Sequence, residues 1–137
     1  MANGFFDRAG ITLLSDVYNN TSYGPLKRAL VKVDMEETFH LRHGEVWMRR
    51  LAKAGGEARE MLQRAVDWMF PMTIEWFGLP DDRKRHSGQL DYKLKGLTND
   101  QLRQVWMAST VPLCEELGLE APAHWDEEKG EYALDYP

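Results

Sequence analysis

Apolar residues recur at helical rather than alternating spacing through most of the chain. Residues 5–19, FFDRAGITLLSDVYN, place Gly10, Leu14 and Val17 near one line and predict a first helix. NNTSYGP at 19–25 is turn-forming in composition, and Pro25 suits the first turn of the helix that follows. That second helix runs from about 25 to 54 and stops at Gly55-Gly56. A third covers about 57–77, EAREMLQRAVDWMFPMTIEWF, in which Pro71 predicts a kink or a break and after which Gly78 ends the element. LPDDRKRHSGQLDYKLKG at 79–96 is polar and turn-rich, a loop or short irregular element. Thr98 and Gln101 have capping-box spacing and open a fourth helix, which Pro112 is expected to interrupt before CEELG ends it. Beyond 119 the helical pattern stops, and HWDEEKGEYALDYP suggests a small hairpin about Lys129-Gly130. The pattern predicts an all-α domain spanning 1–137, with an irregular tail at 119–137.

The second helix carries polar groups where core-facing side chains belong. On a wheel of about 100° per residue with Glu36 at zero, Leu26, Ala29, Leu30, Val33, Leu41, Gly44, Trp47, Met48 and Leu51 form one stripe centred near 80°. Glu37 at about 100° and His40 at about 40° fall inside that stripe, Glu36 lies at its edge, and His43 falls outside. A carboxylate turned inward needs a partner, because an unpaired buried charge would sooner neutralise. A metal cation is one such partner, and Glu-x-x-His is the spacing by which one helix offers oxygen and nitrogen to the same ion inside a bundle. A mutually bonded Glu37–His40 pair is the plainer alternative. In the first helix Asp7 shares a line with Ile11, Leu14 and Tyr18, either as a third inward ligand or as an acid favoured near a helix start, while Asp16 projects from the opposite side. Glu36 and His43 are expected on a solvated edge or as supports for the ligands. A di-metal carboxylate bundle takes one carboxylate from each of two helices and a Glu-x-x-His from each of the other two. This chain supplies one of each.

Val31, Met35, Phe39 and Val46 form a second apolar line on the far side of the same helix. Helices three and four are expected to wrap back over it, and the competing cover is a partner chain.

Composition narrows the function. A net charge of −5, with Lys and Arg interspersed among acids, supplies no field for nucleic acid. No apolar run is long enough to span a bilayer. The N-terminal MANGFFDRAG does not read as a signal peptide, and a single cysteine, Cys114, is expected to be a buried small apolar residue; a reducing cytoplasm is the expected location. The tryptophans at 47, 68, 76, 106 and 125 are expected to anchor the core or an interface. No Gly-rich phosphate loop, Cys-x-x-Cys or nucleophile elbow occurs, and His86 and His124 receive no role.

The stretch TSYGPLKRALVKVDMEETFHLRHGE resembles the catalytic A subunit family of the multicomponent phenylacetyl-CoA epoxidase (ring-1,2-monooxygenase), a ferritin-like di-iron family, and similarity continues through FGLPDD, KLKGLTNDQLRQVW, TVP and HWDEEKGEY. The resemblance covers almost the whole chain and corresponds to the family's C-terminal half. It implies half of a ferritin-like four-helix bundle with extra C-terminal helices, in which Glu37 and His40 match the family's second Glu-x-x-His iron ligands and Asp7 lies roughly where an acidic ligand belongs. It further implies a di-iron centre, dioxygen as co-substrate, a separate reductase, and an aromatic acyl-CoA whose phosphates the Lys and Arg of RKRHSGQLDYKLK (83–95) could meet, a solvated loop being the plainer reading of that cluster. The family's chains carry two further helices ahead of this region, so the site is expected to be completed by a second chain: a homodimer partner, preferred here, or a complementary half-bundle subunit. A non-catalytic scaffold of the same fold is the alternative, since the fold alone does not imply chemistry.

Overall fold

The computed structural model describes residues 1–85 and 88–137; His86 and Ser87 of the basic loop lie outside the described residues. The four helices are α1 (Ala2–Asn20), α2 (Gly24–Ala54), α3 (Gly56–Trp76) and α4 (Asn99–Glu116), followed by a hairpin of β1 (Ala123–Asp126) and β2 (Glu131–Leu134). The antiparallel hairpin pairs Ala123 with Leu134 and Asp126 with Glu131, and Gly130 turns it at a φ of 66°. The Asp126 carboxylate accepts the N–H groups of Glu128 and Lys129 across the turn. Those bonds hold its carboxyl below the usual range. No helix among the described residues is long and apolar enough to cross a membrane.

The caps are where the spacing places them. Thr98 Oγ1 accepts from Gln101 N–H while Gln101 Oε1 accepts from Thr98 N–H, so two of the orphan donors that open α4 are satisfied reciprocally. Pro112 corrects the expectation of an interruption, and of the two outcomes expected at Pro71 the break does not occur. Pro71 sits inside α3 and Pro112 inside α4, and each helix runs through. A proline inside a helix costs about 3 kcal/mol. Around Pro71, burial of Phe70, Thr73 and Ile74 holds the helical direction. Each large apolar side chain so covered returns about 1.5–3 kcal/mol.

The core gathers on one side of α1. Phe5 and Ala9, fully buried, face Phe70 of α3 and Trp106 of α4. Trp106 stands edge-on to Phe5 and donates its indole N–H to the Phe5 carbonyl at 3.1 Å. Of the five tryptophans only Trp106 is core; Trp47, Trp68, Trp76 and Trp125 are exposed. Asp16 is a second correction. It is buried rather than projecting outward, and its carboxylate accepts from the N–H groups of Gly96 and Leu97 and from the Asn20 amide, which pins the segment before α4 to the end of α1. A line through Phe5, Ala9 and Asp16 therefore faces α3 and α4, leaving the Asp7 side of α1 for α2.

The long helix is covered unevenly. Leu30, Gly44 and Met48 are its buried residues, so burial centres about 25° round the wheel from the stripe the pattern predicts. Val33 at about 60° and Trp47 at about 20° lie on the side away from that centre and are exposed, and Leu26, at the angle of Gly44, is exposed in the first turn of the helix. The second apolar line is also open: Val31, Met35, Phe39 and Val46 are all exposed, and neither α3 nor α4 wraps over them. Arg49 near the C-terminal end of α2 reaches Glu116 of α4 with both terminal guanidinium nitrogens.

Candidate metal centre

Side chains that meet across α1 and α2 show the two helices to be antiparallel. Gly4 lies against Gly44, Arg8 pairs with Glu45, and the Lys27 ammonium sits 5.2 Å from the Tyr18 ring centroid. This register sets Asp7 of α1 opposite one turn of α2 that carries Glu37 and His40. One ligand atom from each of the three residues falls within 4.8 Å of the other two. Among the described residues, Asp7, Glu37 and His40 form the one group of three or more such side chains near enough to share an ion.

Three details bear on what the group can do. His40 Nδ1 lies 3.6 Å from Glu37 Oε1, an ion-pair separation longer than a hydrogen bond. Asp7 stands in the second turn of α1, whose first turn has no acid, and so lies beyond the part of the helix where the dipole favours negative charge. Exposure rises across the group, from half-buried Asp7 and Glu37 (26% for the Glu37 side chain) to 57% for the His40 side chain. The group is thus walled on the α1 side and open on the other.

The donor set fits a divalent first-row metal. Two carboxylates and one imidazole are hard and borderline donors of the kind that bind iron, manganese or zinc. Ligands at about 2.0–2.2 Å from one ion can be at most about 4.4 Å apart, and the group is within about half an ångström of that limit as it stands. Glu36 and His43 are exposed; Glu36 faces Lys32 at 3.9 Å, the His43 ring lies against Trp47, and neither is a member of the group.

Arg8 and Glu45 carry no mark in the sequence pattern. The Arg8 guanidinium, nearly buried, binds the Glu45 carboxylate and donates through Nε to the Gly4 carbonyl at 3.4 Å, bracing α1 against α2 beside Asp7. A charge at position 8 gives no hint of this contact, because its partner is 37 residues away.

A family described as phenylacetic acid catabolic protein matches residues 1–137. The chain belongs to that family. It is 40% identical over 116 residues to the 1,2-phenylacetyl-CoA epoxidase A subunit of Escherichia coli (strain K12), an alignment that covers 82% of this chain and 38% of the relative. The chain therefore spans well under half the length of that relative. It has the ferritin-like helical architecture that the sequence resemblance implies, with α1 and α2 as the antiparallel pair that brings Asp7, Glu37 and His40 together.

Elsewhere in the chain, Lys95 is buried beside an apolar cavity of about 490 Å³ lined by Leu13, Val17, Trp76 and Leu94. Its ammonium donates to Asn99 Oδ1 at 2.8 Å, and burial, then the charge of Lys84, pulls its pKa down. Cys114 is fully buried, as its isolation predicts, and desolvation pushes its thiol up to about 11. The folded protein therefore holds the proton that the unfolded chain releases from about pH 9 upward. Its contribution to stability is complete below the unfolded value and disappears as pH rises through 11. Between about pH 8 and pH 11 the protein should lose about 2 kcal/mol more in urea unfolding than a Cys114→Ala variant does; equal losses would show that the thiol is not so shielded.

Proposed function

We propose that this chain, acting as one domain over 1–137, is a subunit of a di-iron oxygenase of the phenylacetyl-CoA epoxidase type, with Asp7, Glu37 and His40 as its share of the iron ligands. The observation that carries the reading is the convergence of those three donors from two antiparallel helices. Iron bound there would activate dioxygen, with electrons from a separate reductase, for oxygen insertion into an aromatic acyl-CoA thioester. The protein's own part is to hold two carboxylates and a neutral imidazole at fixed separation, with Arg8 and Glu45 locking the helix pair. Glu36, next to Glu37, and His43, one turn after His40, would support the ligands from beside them. Of the Lys and Arg side chains of 83–95, Arg83, Lys84, Arg85 and Lys93 would provide charge for the CoA phosphates, Lys95 being buried.

A second chain completes the site in this reading. The open side at His40 and the exposed apolar residues on both flanks of α2 support a cover. A second copy about a two-fold axis is preferred, because each copy then brings two carboxylates and one imidazole, and the pair together meets the ligand requirement of a di-iron bundle. A complementary half-bundle subunit would serve the same end. The cytoplasm is the proposed location.

Metal analysis of protein reconstituted with Fe(II), combined with sedimentation, tests this. About one iron per chain in a dimer, and reductase-dependent loss of phenylacetyl-CoA, are the expected results. Protein that takes up no iron, alone or mixed with a candidate half-bundle partner, would leave only a scaffold role.

A further inference from the structure

We propose that the contact between Gly4 and Gly44 is the spacer that brings Asp7 within reach of Glu37 and His40, which makes Gly44 a positioning residue for the metal group. The proposal rests on the metal-centre reading above and adds to it residues that bind no ligand.

Each glycine lies one turn from a ligand on its own helix. Gly4 precedes Asp7 by three residues and Gly44 follows His40 by four, so each shares a helix face with the ligand beside it. Gly44 is buried. A Cβ added there would stand 2.5 Å from the Gly4 backbone nitrogen and 2.6 Å from the Asn3 carbonyl carbon. Both are backbone atoms, which cannot rotate aside. Carbon contacts settle at about 3.5–4.0 Å, so a methyl group would push α1 and α2 apart by about an ångström at the turn next to the ligands. Metal–ligand distances tolerate only about 0.2 Å. The group, already near its limit with atoms up to 4.8 Å apart, would open beyond closure.

Neighbouring features isolate the effect. The Arg8–Glu45 bridge is made by long side chains that can follow a moved helix, so it braces the pair without setting its separation. Gly4 is a softer position, since a Cβ there meets the flexible end of the Met48 side chain rather than backbone. Gly10, also on α1, would meet nothing within 4 Å, so its lack of a side chain has no packing reason. Glycine inside a helix destabilises it relative to alanine, which makes Gly10→Ala a neutral or stabilising control.

Co(II) titration of the metal-free chain of residues 1–137, read by its visible d–d spectrum alongside far-UV circular dichroism, tests the proposal. Gly44→Ala is expected to keep its helical signal while binding Co(II) about ten- to a hundredfold more weakly, with an altered d–d band pattern. Gly10→Ala should match the wild type in affinity and spectrum. Wild-type affinity and spectrum in folded Gly44→Ala would overturn the proposal and leave the metal centre standing. A wild type that takes up no Co(II) would overturn the metal-centre reading itself. If Gly44→Ala loses its helical signal, Gly4→Ala decides: a smaller loss of affinity in the same direction supports the spacer, and unchanged binding refutes it.

Discussion

His40→Ala is expected to weaken Fe(II) or Co(II) binding by more than about a hundredfold, because it removes a ligand outright where even residues that only orient ligands cost 10–100-fold. The side chain is 57% exposed, so the same change should leave unfolding stability within about 0.5 kcal/mol of wild type. Glu37→Gln should act alike on the metal, since it preserves the shape of the side chain and removes the anionic oxygen. Glu36→Gln and His43→Ala, outside the group, are expected to stay within about tenfold of wild type. Isothermal titration with Co(II), run beside thermal melts of the same four variants, separates ligation from folding. An unchanged affinity in His40→Ala would show that the three donors do not hold an ion.

Trp106→Ala should be the most damaging single substitution for the fold. The ring is fully buried, stands edge-on to Phe5 and Phe70 at centroid distances of 5.6 and 4.9 Å, and lies 6.4 Å from Phe77. Truncating a buried tryptophan costs about 3–5 kcal/mol, and here the Phe5 carbonyl also loses its donor. Against a total stability of about 5–15 kcal/mol, that is a large fraction, and it should lower the melting temperature by roughly 10–20 °C. Metal binding should fall with it, because Phe5 is the anchor two residues before Asp7. Trp68→Ala, at a side chain 67% exposed, is expected to change stability by no more than about 0.5 kcal/mol. Urea denaturation of both variants checks the contrast, and a loss below about 1 kcal/mol in Trp106→Ala would place the core elsewhere.

Much of the site's local chemistry is legible in the amino-acid order. Glu37 and His40 share a helix face because three residues make nearly one turn, whatever surrounds them. The reciprocal cap of Thr98 and Gln101, the stop at Gly55 and the hairpin turn at Gly130 are likewise properties of a few adjacent residues. The prolines mislead for the complementary reason. Pro71 and Pro112 carry a local cost that points to a break, and the burial that outweighs it comes from partners far along the chain.

The wheel of α2 shows where this boundary lies. Periodicity determined which residues share a stripe, but the direction in which α2 is covered depends on where α1 lies, so Val33 and Trp47 are exposed and the far apolar line stays open. Asp16 has the pattern of an outward acid and is instead a buried clamp on Gly96 and Leu97, because its partners are about 80 residues away. Asp7 depends most on this. By itself the sequence determined the helices, their caps and a carboxylate–imidazole pair one turn apart, since those follow from bond geometry within a few residues. Only the tertiary structure decided that a carboxylate 30 residues earlier joins that pair, because the antiparallel register and the separation of α1 and α2 come from close packing between chain segments that sequence distance does not encode.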